Sequence, residues 1–337
     1  MAYASRQSSY LISGVGAFLQ VVAAWWSMFS RLRFGDVSPT WNLANLTLYS
    51  ALAITLFGVW RGLHVNHEEY ASFMNIQFIN LSGLKLVGIG CIIEVIACAL
   101  NNAAASGIVG GRAVSEPAQA LLPIGMLTVN LGVAIGLTIE YGMIRRDFIV
   151  TSASKRAAIV FLILMTFSAI WLAASGALIY LAIRIPLPLV NWGAAFSLSL
   201  FGTFVLIPLK RVMPQIGSGV GVGIIFNTVA YFFLVTYAGR PVYVPWGLLP
   251  VFLFEIMFFL LGPKAGLKVA ALLASPLTGV LFGAMYYPLT LNIFPWSFSA
   301  QPAILATVVG SAIGALLGYR VYTSLSSAVV GKVTASL

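Results

Sequence analysis

Long apolar runs, separated by short polar or charged connections, are the dominant pattern of this chain. Several runs exceed the ~18 residues that mark a membrane-spanning helix, and they are continuous and leucine-rich instead of alternating like the strands of a membrane barrel. The pattern predicts an all-α integral membrane bundle of about ten transmembrane helices, in a single polytopic domain over residues 1–337. We place the spans at residues 8–30, 43–63, 83–105, 119–141, 157–182, 188–209, 217–238, 246–262, 268–288 and 303–323.

Two of these spans differ from a simple crossing helix. The run at residues 8–30 is about twice as long as the apolar region of a signal peptide and carries Trp25 and Trp26, so we interpret it as the first retained span. The segment from Ala71 to Asn102 is compatible with one long helix that projects beyond the bilayer.

The composition supports the membrane class. Of the 337 residues, 60% are apolar and 8% are charged, whereas a soluble domain carries roughly 25% charged residues. The net charge of +10 comes from basic residues at the ends of apolar runs, without the basic stripe that a nucleic-acid-binding protein would carry. This flanking charge indicates topology and contact with anionic lipid. The predicted partner is therefore the lipid bilayer, and nucleic acid is excluded.

The basic residues also predict an orientation. Of the 18 Lys and Arg residues, 13 precede the first span, follow the last one or lie in even-numbered connections, and five lie in odd-numbered connections. Because loops rich in positive charge stay in the cytoplasm, we predict a multi-pass protein of the cell membrane with both termini cytoplasmic.

The odd-numbered connections share proline and, in four of them, tryptophan. Proline starts a helix well, and tryptophan prefers the headgroup layer. The recurrence predicts five helical hairpins that turn at the outer face, where they would offer a docking surface to other membrane subunits. The four tryptophans are Trp41, Trp192, Trp246 and Trp296.

Small residues predict where helices pack closely. A helix face with a small residue at every fourth position lets another backbone approach. The tenth predicted span has such a face, formed by Ala306, Gly310, Gly314 and Gly318. The glycines of GSGVGVG, residues 217–223, do not form a face. We interpret this stretch as a loose cytoplasmic loop, with an unwound entry that serves a gate as the alternative.

Glu94 and Glu255 lie inside apolar runs, where a charged side chain costs about 3 kcal/mol. We expect no Lys or Arg at a matching depth. An intramembrane acid indicates a functional site by default, so one hypothesis is a proton or cation path lined by the two glutamates and nearby asparagines. The other is that each glutamate holds helices together through hydrogen bonds. The asparagine candidates are Asn101, Asn102, Asn130 and Asn227.

Both histidines of the chain lie in GLHVNHEEY, residues 62–70. If the second helix continues, His64, His67 and Glu68 share a face and could bind zinc, iron or copper. The spacing matches no metal motif, and the chain has no further histidine, so a solvated helix end is the preferred interpretation. Cys91 and Cys98 lie ~10 Å apart along one helix, too far for a mutual disulfide.

Two stretches, SGLKLVGIGCIIEVIACALNN and SEPAQALLPIGMLTVNLGVAIGL, resemble those of uncharacterised prokaryotic polytopic membrane proteins. The resemblance covers about the first 140 residues of the chain. Those proteins carry histidines at outer hairpin turns, and where such a histidine would stand this chain has Asn45 or Gln119. The resemblance therefore implies that any metal or haem binding by those histidines is absent here, and it transfers no function.

No nucleotide-binding loop, catalytic triad, metal motif or haem-ligand pair appears in the sequence, which favours a non-enzyme and implies no cofactor. Two functions remain open. The first is a permease or channel for a small solute or ion, with Glu94 and Glu255 on or beside the route. The second is a non-catalytic subunit of a membrane complex of the metallo-oxygenase or electron-transfer type. The first is preferred by analogy with proteins of similar architecture.

Overall fold

The computed structural model describes residues 2–34, 42–65, 74–76, 79–110, 112–142, 153–185, 187–213, 216–238, 248–293 and 300–335. These residues form nine helices and two short strands. The helices are α1 (Ala2–Phe34), α2 (Leu43–Val65), α3 (Gly83–Ala105), α4 (Arg112–Gly142), α5 (Ala153–Arg184), α6 (Pro188–Val212), α7 (Ser218–Ala238), α8 (Leu248–Ile293) and α9 (Ala300–Ala335).

Eight of the described helices are long and apolar enough to cross a membrane. The prediction of a helical, multi-pass membrane protein is confirmed in this form, but the number ten is not. The apolar part of α7, Ser218–Leu234, is shorter than the others, and α8 is one continuous apolar stretch from Leu248 to Met285. Within α8 the backbone of Gly266 leaves the helical conformation, with φ 81° and ψ 157°. This left-handed conformation suits glycine, because it has no Cβ to clash.

The long helix predicted from Ala71 to Asn102 is wrong at its start. Residues Met74–Ile76 and Ile79–Leu81 form strands β1 and β2, which pair antiparallel with Asn75 opposite Asn80. Helix α3 begins only at Gly83, where the Ser82 side chain caps it by accepting a hydrogen bond from the Lys85 N–H at 3.2 Å. Serine at this position satisfies a backbone donor that has no partner within the helix.

The chain divides into two compact units. The first contains α1 as far as Ser27, then α2, the strands, α3, α4 and α5 as far as Ala173. The second contains α5 from Ala174, α6, α7, α8 and α9 as far as Ser326. That residues 1–337 act as one transmembrane domain stays a prediction.

In the first unit, helices meet at glycines. A Cβ on Gly83 of α3 would lie 2.7 Å from the Gly132 carbonyl oxygen of α4, and one on Gly90 would lie 2.7 Å from the Val129 nitrogen. Helix α1 approaches α2 in the same way, because a Cβ on Gly16 would lie 2.8 Å from the Ala51 carbonyl oxygen. Contact this close replaces the hydrophobic driving force that lipid does not supply between helices.

In the second unit, α9 packs against α6 and against the later part of α8. Gly310, Gly314 and Gly318 face α6, and a Cβ on Gly310 would lie 2.5 Å from the Phe196 carbonyl oxygen. On the side of α8, a Cβ on Gly279 would lie 2.7 Å from the Thr307 carbonyl oxygen. Three of the four small residues singled out in the sequence thus line one helix contact.

Candidate functional site

Glu94 lies in the middle of α3 and is completely buried in the first unit. Helix α4 covers it closely, because position 125 is glycine and a Cβ there would lie 2.6 Å from Glu94 Cγ. Within the described residues no Lys, Arg or His forms an ion pair with Glu94. A buried carboxylate without a counter-charge needs hydrogen-bond donors or a proton of its own.

The side chain that meets Glu94 is Gln20 of α1, which is also completely buried. One end of the Gln20 amide lies 3.1 and 3.2 Å from the two carboxylate oxygens of Glu94. The other end lies 2.9 Å from the Thr55 hydroxyl of α2. That hydroxyl in turn lies 2.9 Å from the Ala51 carbonyl oxygen of its own helix. Glu94, Gln20 and Thr55, which we call the buried triad, thus link α1, α2 and α3.

Glu255 lies in the early part of α8, in the second unit, and it has a basic partner. Lys210 Nζ lies 2.5 Å from Glu255 Oε2, and both side chains are 3% exposed. The expectation that no Lys or Arg would lie at a matching depth is therefore wrong for Glu255. Lys210 is the last residue of the apolar stretch Pro188–Lys210 of α6, and its long side chain reaches the carboxylate. The Lys210 ammonium also donates to the Ser218 hydroxyl at 3.0 Å.

The same carboxylate caps the start of α7. The Gly219 N–H donates to Glu255 Oε1 at 2.6 Å, and the Gly217 N–H donates to Oε2 at 3.3 Å. Glycine at 219 lets the carboxylate come this close, because a Cβ there would displace Glu255 Oε1, and Gly217 has a left-handed φ of 93°. The preferred interpretation of residues 217–223 as a loose loop is wrong from Ser218 onward, since α7 begins there. A negative charge at the start of a helix satisfies its unpaired N–H groups and its dipole.

Three of the four asparagine candidates lie in the first unit and Asn227 lies in the second, and each has a hydrogen-bond partner in the described structure. Asn102 of α3 hydrogen-bonds the Tyr49 hydroxyl of α2, with N to O 3.0 Å. Asn101 accepts a hydrogen bond from Gln119 at 3.4 Å, in an exposed position.

The other two asparagines bond to their own helices. Asn130 donates to the Met126 carbonyl at 2.8 Å, and Asn227 donates to the Gly223 carbonyl at 2.7 Å. Asn130 is buried, and its side-chain oxygen has no hydrogen-bond partner among the described residues. Bonds of this kind satisfy a polar group within its own helix and do not define a path.

The metal hypothesis has little support where it can be examined. His64 is exposed in the last turn of α2, with its ring 5.0 Å from that of Trp60. His67 and Glu68 lie outside the described residues. Within the described ranges no group of three His, Cys, Asp or Glu residues could hold a metal ion, and Cys91 and Cys98 are free thiols.

Most of the connections predicted to lie at the outer face are outside the part of the chain that the structure describes. This is true of Trp41, Trp246 and Trp296. Trp192 is half-buried near the start of α6, whose first residue is Pro188. Asn45, which stands where the proteins of the stated resemblance would carry a histidine, accepts a hydrogen bond from Ser27 at 3.2 Å. That the connections at the outer face form a docking surface stays a prediction.

Gln20, Thr55 and Lys210 were not predicted as site residues. Gln20 is a glutamine inside the apolar run LQVVAAWW, which marks it as a polar group that must find a partner within the bundle. The sequence gives no comparable signal for Thr55, because a threonine inside a membrane helix commonly bonds to the backbone of its own helix. Lys210 was attributed to topology, as a charge that ends an apolar run.

These helices define a multi-pass membrane protein, and among the residues whose burial is described each of its two units has one buried acid. No family model matches the chain, and no curated protein or solved structure is significantly similar to it.

Proposed function

We propose that this protein is a permease or channel for a small solute or ion, and that Glu94 lies on its route. The observation that carries the proposal is a completely buried glutamate whose described contacts include no basic residue. Placing a carboxyl group at that depth is costly, and helices can be held together by glycine contacts and neutral hydrogen bonds without it. A carboxyl group that gains and loses a proton within the helix bundle can carry that proton along a transport route.

Glu255 has a different part in this proposal. Its carboxylate holds the end of α6, the start of α7 and the early part of α8 together through Lys210, Gly217 and Gly219. An ion pair that joins three helix segments is a contact that can open or close as a unit. We assign the Glu255–Lys210 pair to gating of the route and not to its lining.

The proposal includes ten crossings with both termini in the cytoplasm. Its support is the break at Gly266 between Lys264 and Lys268, which lets α8 make two crossings, and the apolar stretch Ser218–Leu234, which makes another. Further support is that α3 and α4 pack on each other through glycines and are separated by a short connection that includes the turn at residues 106–110.

Reporter fusions test this topology. Fusions at the N-terminus, at the C-terminus and next to Gly266 are expected to report the cytoplasmic side, and a fusion in the turn between α3 and α4 the outer side. If the two termini report opposite sides, the crossing number is odd and the proposed topology fails.

A second function, that of a non-catalytic subunit in a membrane complex, is favoured by one observation. Each glutamate has hydrogen-bond partners within its own unit, as expected of groups that serve packing alone. Purification in mild detergent followed by native mass spectrometry tests it. Stoichiometric co-purification of other membrane subunits would support this function over that of a permease.

Transport by the purified chain tests the first function. Proteoliposomes that contain an entrapped pH dye are expected to show proton flux, either alone or when small solutes are added outside. Glu94→Gln, which keeps the shape and removes the titrating group, is expected to lower this flux at least tenfold, because uptake of the proton is lost. Glu255→Gln is the comparison, expected to alter flux by changing the gate. Flux that is unchanged in Glu94→Gln and in the double variant Glu94→Gln/Glu255→Gln would remove Glu94 from the route and Glu255 from the gate.

A further inference from the structure

The buried triad has two complete hydrogen-bond patterns at the same atomic positions. In the first, the Gln20 amide nitrogen faces Glu94 and donates to both carboxylate oxygens, at 3.1 and 3.2 Å, while the Thr55 hydroxyl donates to the amide oxygen at 2.9 Å. This pattern fits an ionised carboxylate, which can only accept hydrogen bonds.

The second pattern reverses every bond. The Gln20 amide oxygen now faces Glu94, and the amide nitrogen donates to the Thr55 hydroxyl at 2.9 Å. The hydroxyl is then free to donate to the Ala51 carbonyl at 2.9 Å. An oxygen that faces two carboxyl oxygens is satisfied only if the carboxyl group carries a proton and donates it. This pattern therefore fits neutral Glu94.

Other described groups cannot replace Gln20 in this role. From α4, Gly125 offers no side chain. On α3 itself, the thiols of Cys91 and Cys98 are the titratable groups close enough to interact with the charge of Glu94. On α2 the Tyr49 hydroxyl is bonded to Asn102 and interacts with Cys98. Within the described residues, only the orientation of the Gln20 amide matches the charge state of Glu94.

We propose that Glu94 binds a proton as the coupling ion of transport. The Gln20 amide rotates when this proton binds, and its rotation changes the hydrogen bond that the Thr55 hydroxyl donates. This proposal rests on the proposed function of the protein as a permease. A hydronium ion transfers its proton to one carboxylate oxygen of Glu94 and leaves as water, so one O–H bond breaks and one forms. The amide rotates by half a turn, and the Thr55 hydroxyl moves its hydrogen bond from Gln20 to the Ala51 carbonyl. Release of the proton to water reverses each step.

The change reaches the contact between α1 and α2. In the neutral state the Ala51 carbonyl, a helix acceptor, gains a second donor, and such threonine bonding back to its own helix commonly bends it. Helix α1 touches α2 at this turn, because a Cβ on Gly16 would lie 2.8 Å from the Ala51 oxygen and from the Thr55 nitrogen. A bend of α2 there changes how the two helices pack.

A metal cation fits this site less well than a proton. Hard cations such as calcium or magnesium are bound by about six oxygen ligands. The described oxygens that face Glu94 come from Gln20 alone, and in the ionised pattern a nitrogen takes that place. A proton needs one acceptor, which the second pattern supplies.

Infrared difference spectroscopy between high and low pH tests the proposal on the purified protein, with glutamine labelled in its side-chain carbonyl. A protonated-carboxyl band is expected to appear at low pH together with a shift of one labelled amide band. Both changes are expected to be lost in Glu94→Gln, and the amide shift alone in Gln20→Met. Gln301→Met, at an exposed position of α9, is the control and should leave both unchanged.

A carboxyl band that titrates without an amide shift would overturn the switch, and so would the absence of any titrating band that Glu94→Gln removes. Thr55→Ser, which keeps the hydroxyl, and Thr55→Val, which removes it, give a second comparison if Gln20→Met does not fold. Only Thr55→Val should alter the amide shift. These spectra are independent of transport. A normal amide shift in the unsubstituted protein, together with proton flux that Glu94→Gln leaves unchanged, would overturn the proposed function and leave the switch in place.

Discussion

Glu255→Leu is expected to lower the free energy of unfolding by about 3–5 kcal/mol, because it removes the counter-charge of a buried ammonium group. The same change removes the acceptor of the Gly217 and Gly219 N–H groups at the start of α7. Lys210→Met is expected to cost less, since the carboxylate then keeps these two backbone donors. Unfolding of the purified variants in mixed detergent micelles measures both values.

The double variant Lys210→Met/Glu255→Leu measures the interaction between the two side chains separately from the cost of losing each one. It removes both charges, so it is expected to be less destabilised than the sum of the single variants, by an interaction of about 0.5–3 kcal/mol. Lys268→Met, at an exposed position of α8, is the control and should change stability by less than about 0.5 kcal/mol. Equal stability of Glu255→Leu and the Lys268→Met control would contradict a buried ion pair.

The sequence was sufficient to predict that long apolar helices form, although not how many, because their existence depends on local composition. The third predicted span, residues 83–105, coincides with α3, and the first five helices contain the first five predicted spans. Lipid requires every backbone group to be bonded within its own segment, so apolar runs of sufficient length have few alternatives to a helix. The β1–β2 hairpin was missed because strands of three residues leave too short a pattern to recognise.

The contacts of the two glutamates could not be predicted in the same way. Glu94 meets Gln20 at a distance of 74 positions in the chain, and Glu255 meets Lys210 at a distance of 45. Such pairs depend on which helices are neighbours and on how far each is shifted along its axis, and neither property is encoded in one run of residues. A glutamine inside an apolar run indicates that the side chain has a polar partner in the bundle, but it does not identify which residue that partner is.

The two units nevertheless repeat one arrangement. In each, a buried glutamate contacts a polar side chain of an earlier helix, and a hydroxyl of the helix between them completes the contact: Gln20 and Thr55 for Glu94, Lys210 and Ser218 for Glu255. The difference is the positive charge in the second unit. An amide can respond to protonation of its partner by rotating, whereas the Glu255 carboxylate already contacts the ammonium group of Lys210. This contrast is why we assign proton binding to Glu94 and gating to Glu255.

Gly314→Ala is expected to destabilise the second unit by about 2–3 kcal/mol, although alanine is a better helix former than glycine. The added Cβ would collide with the Leu200 carbonyl oxygen of α6, which is backbone and cannot move aside by rotation. Helix α9 would have to separate from α6, and the Thr203 hydroxyl would lose its 3.1 Å hydrogen bond to the Ser311 carbonyl. The same unfolding measurement in detergent micelles quantifies the loss.

The matched control is Gly193→Ala on α6, where an added Cβ meets nothing within 4 Å. This variant should keep its stability or gain up to about 1 kcal/mol from the higher helix propensity of alanine. Thr203→Ala should not rescue Gly314→Ala, because the backbone oxygen of Leu200 remains in place. If both alanine variants are equally stable, α9 does not approach α6 closely, and glycine contact cannot be what holds the second unit together in lipid.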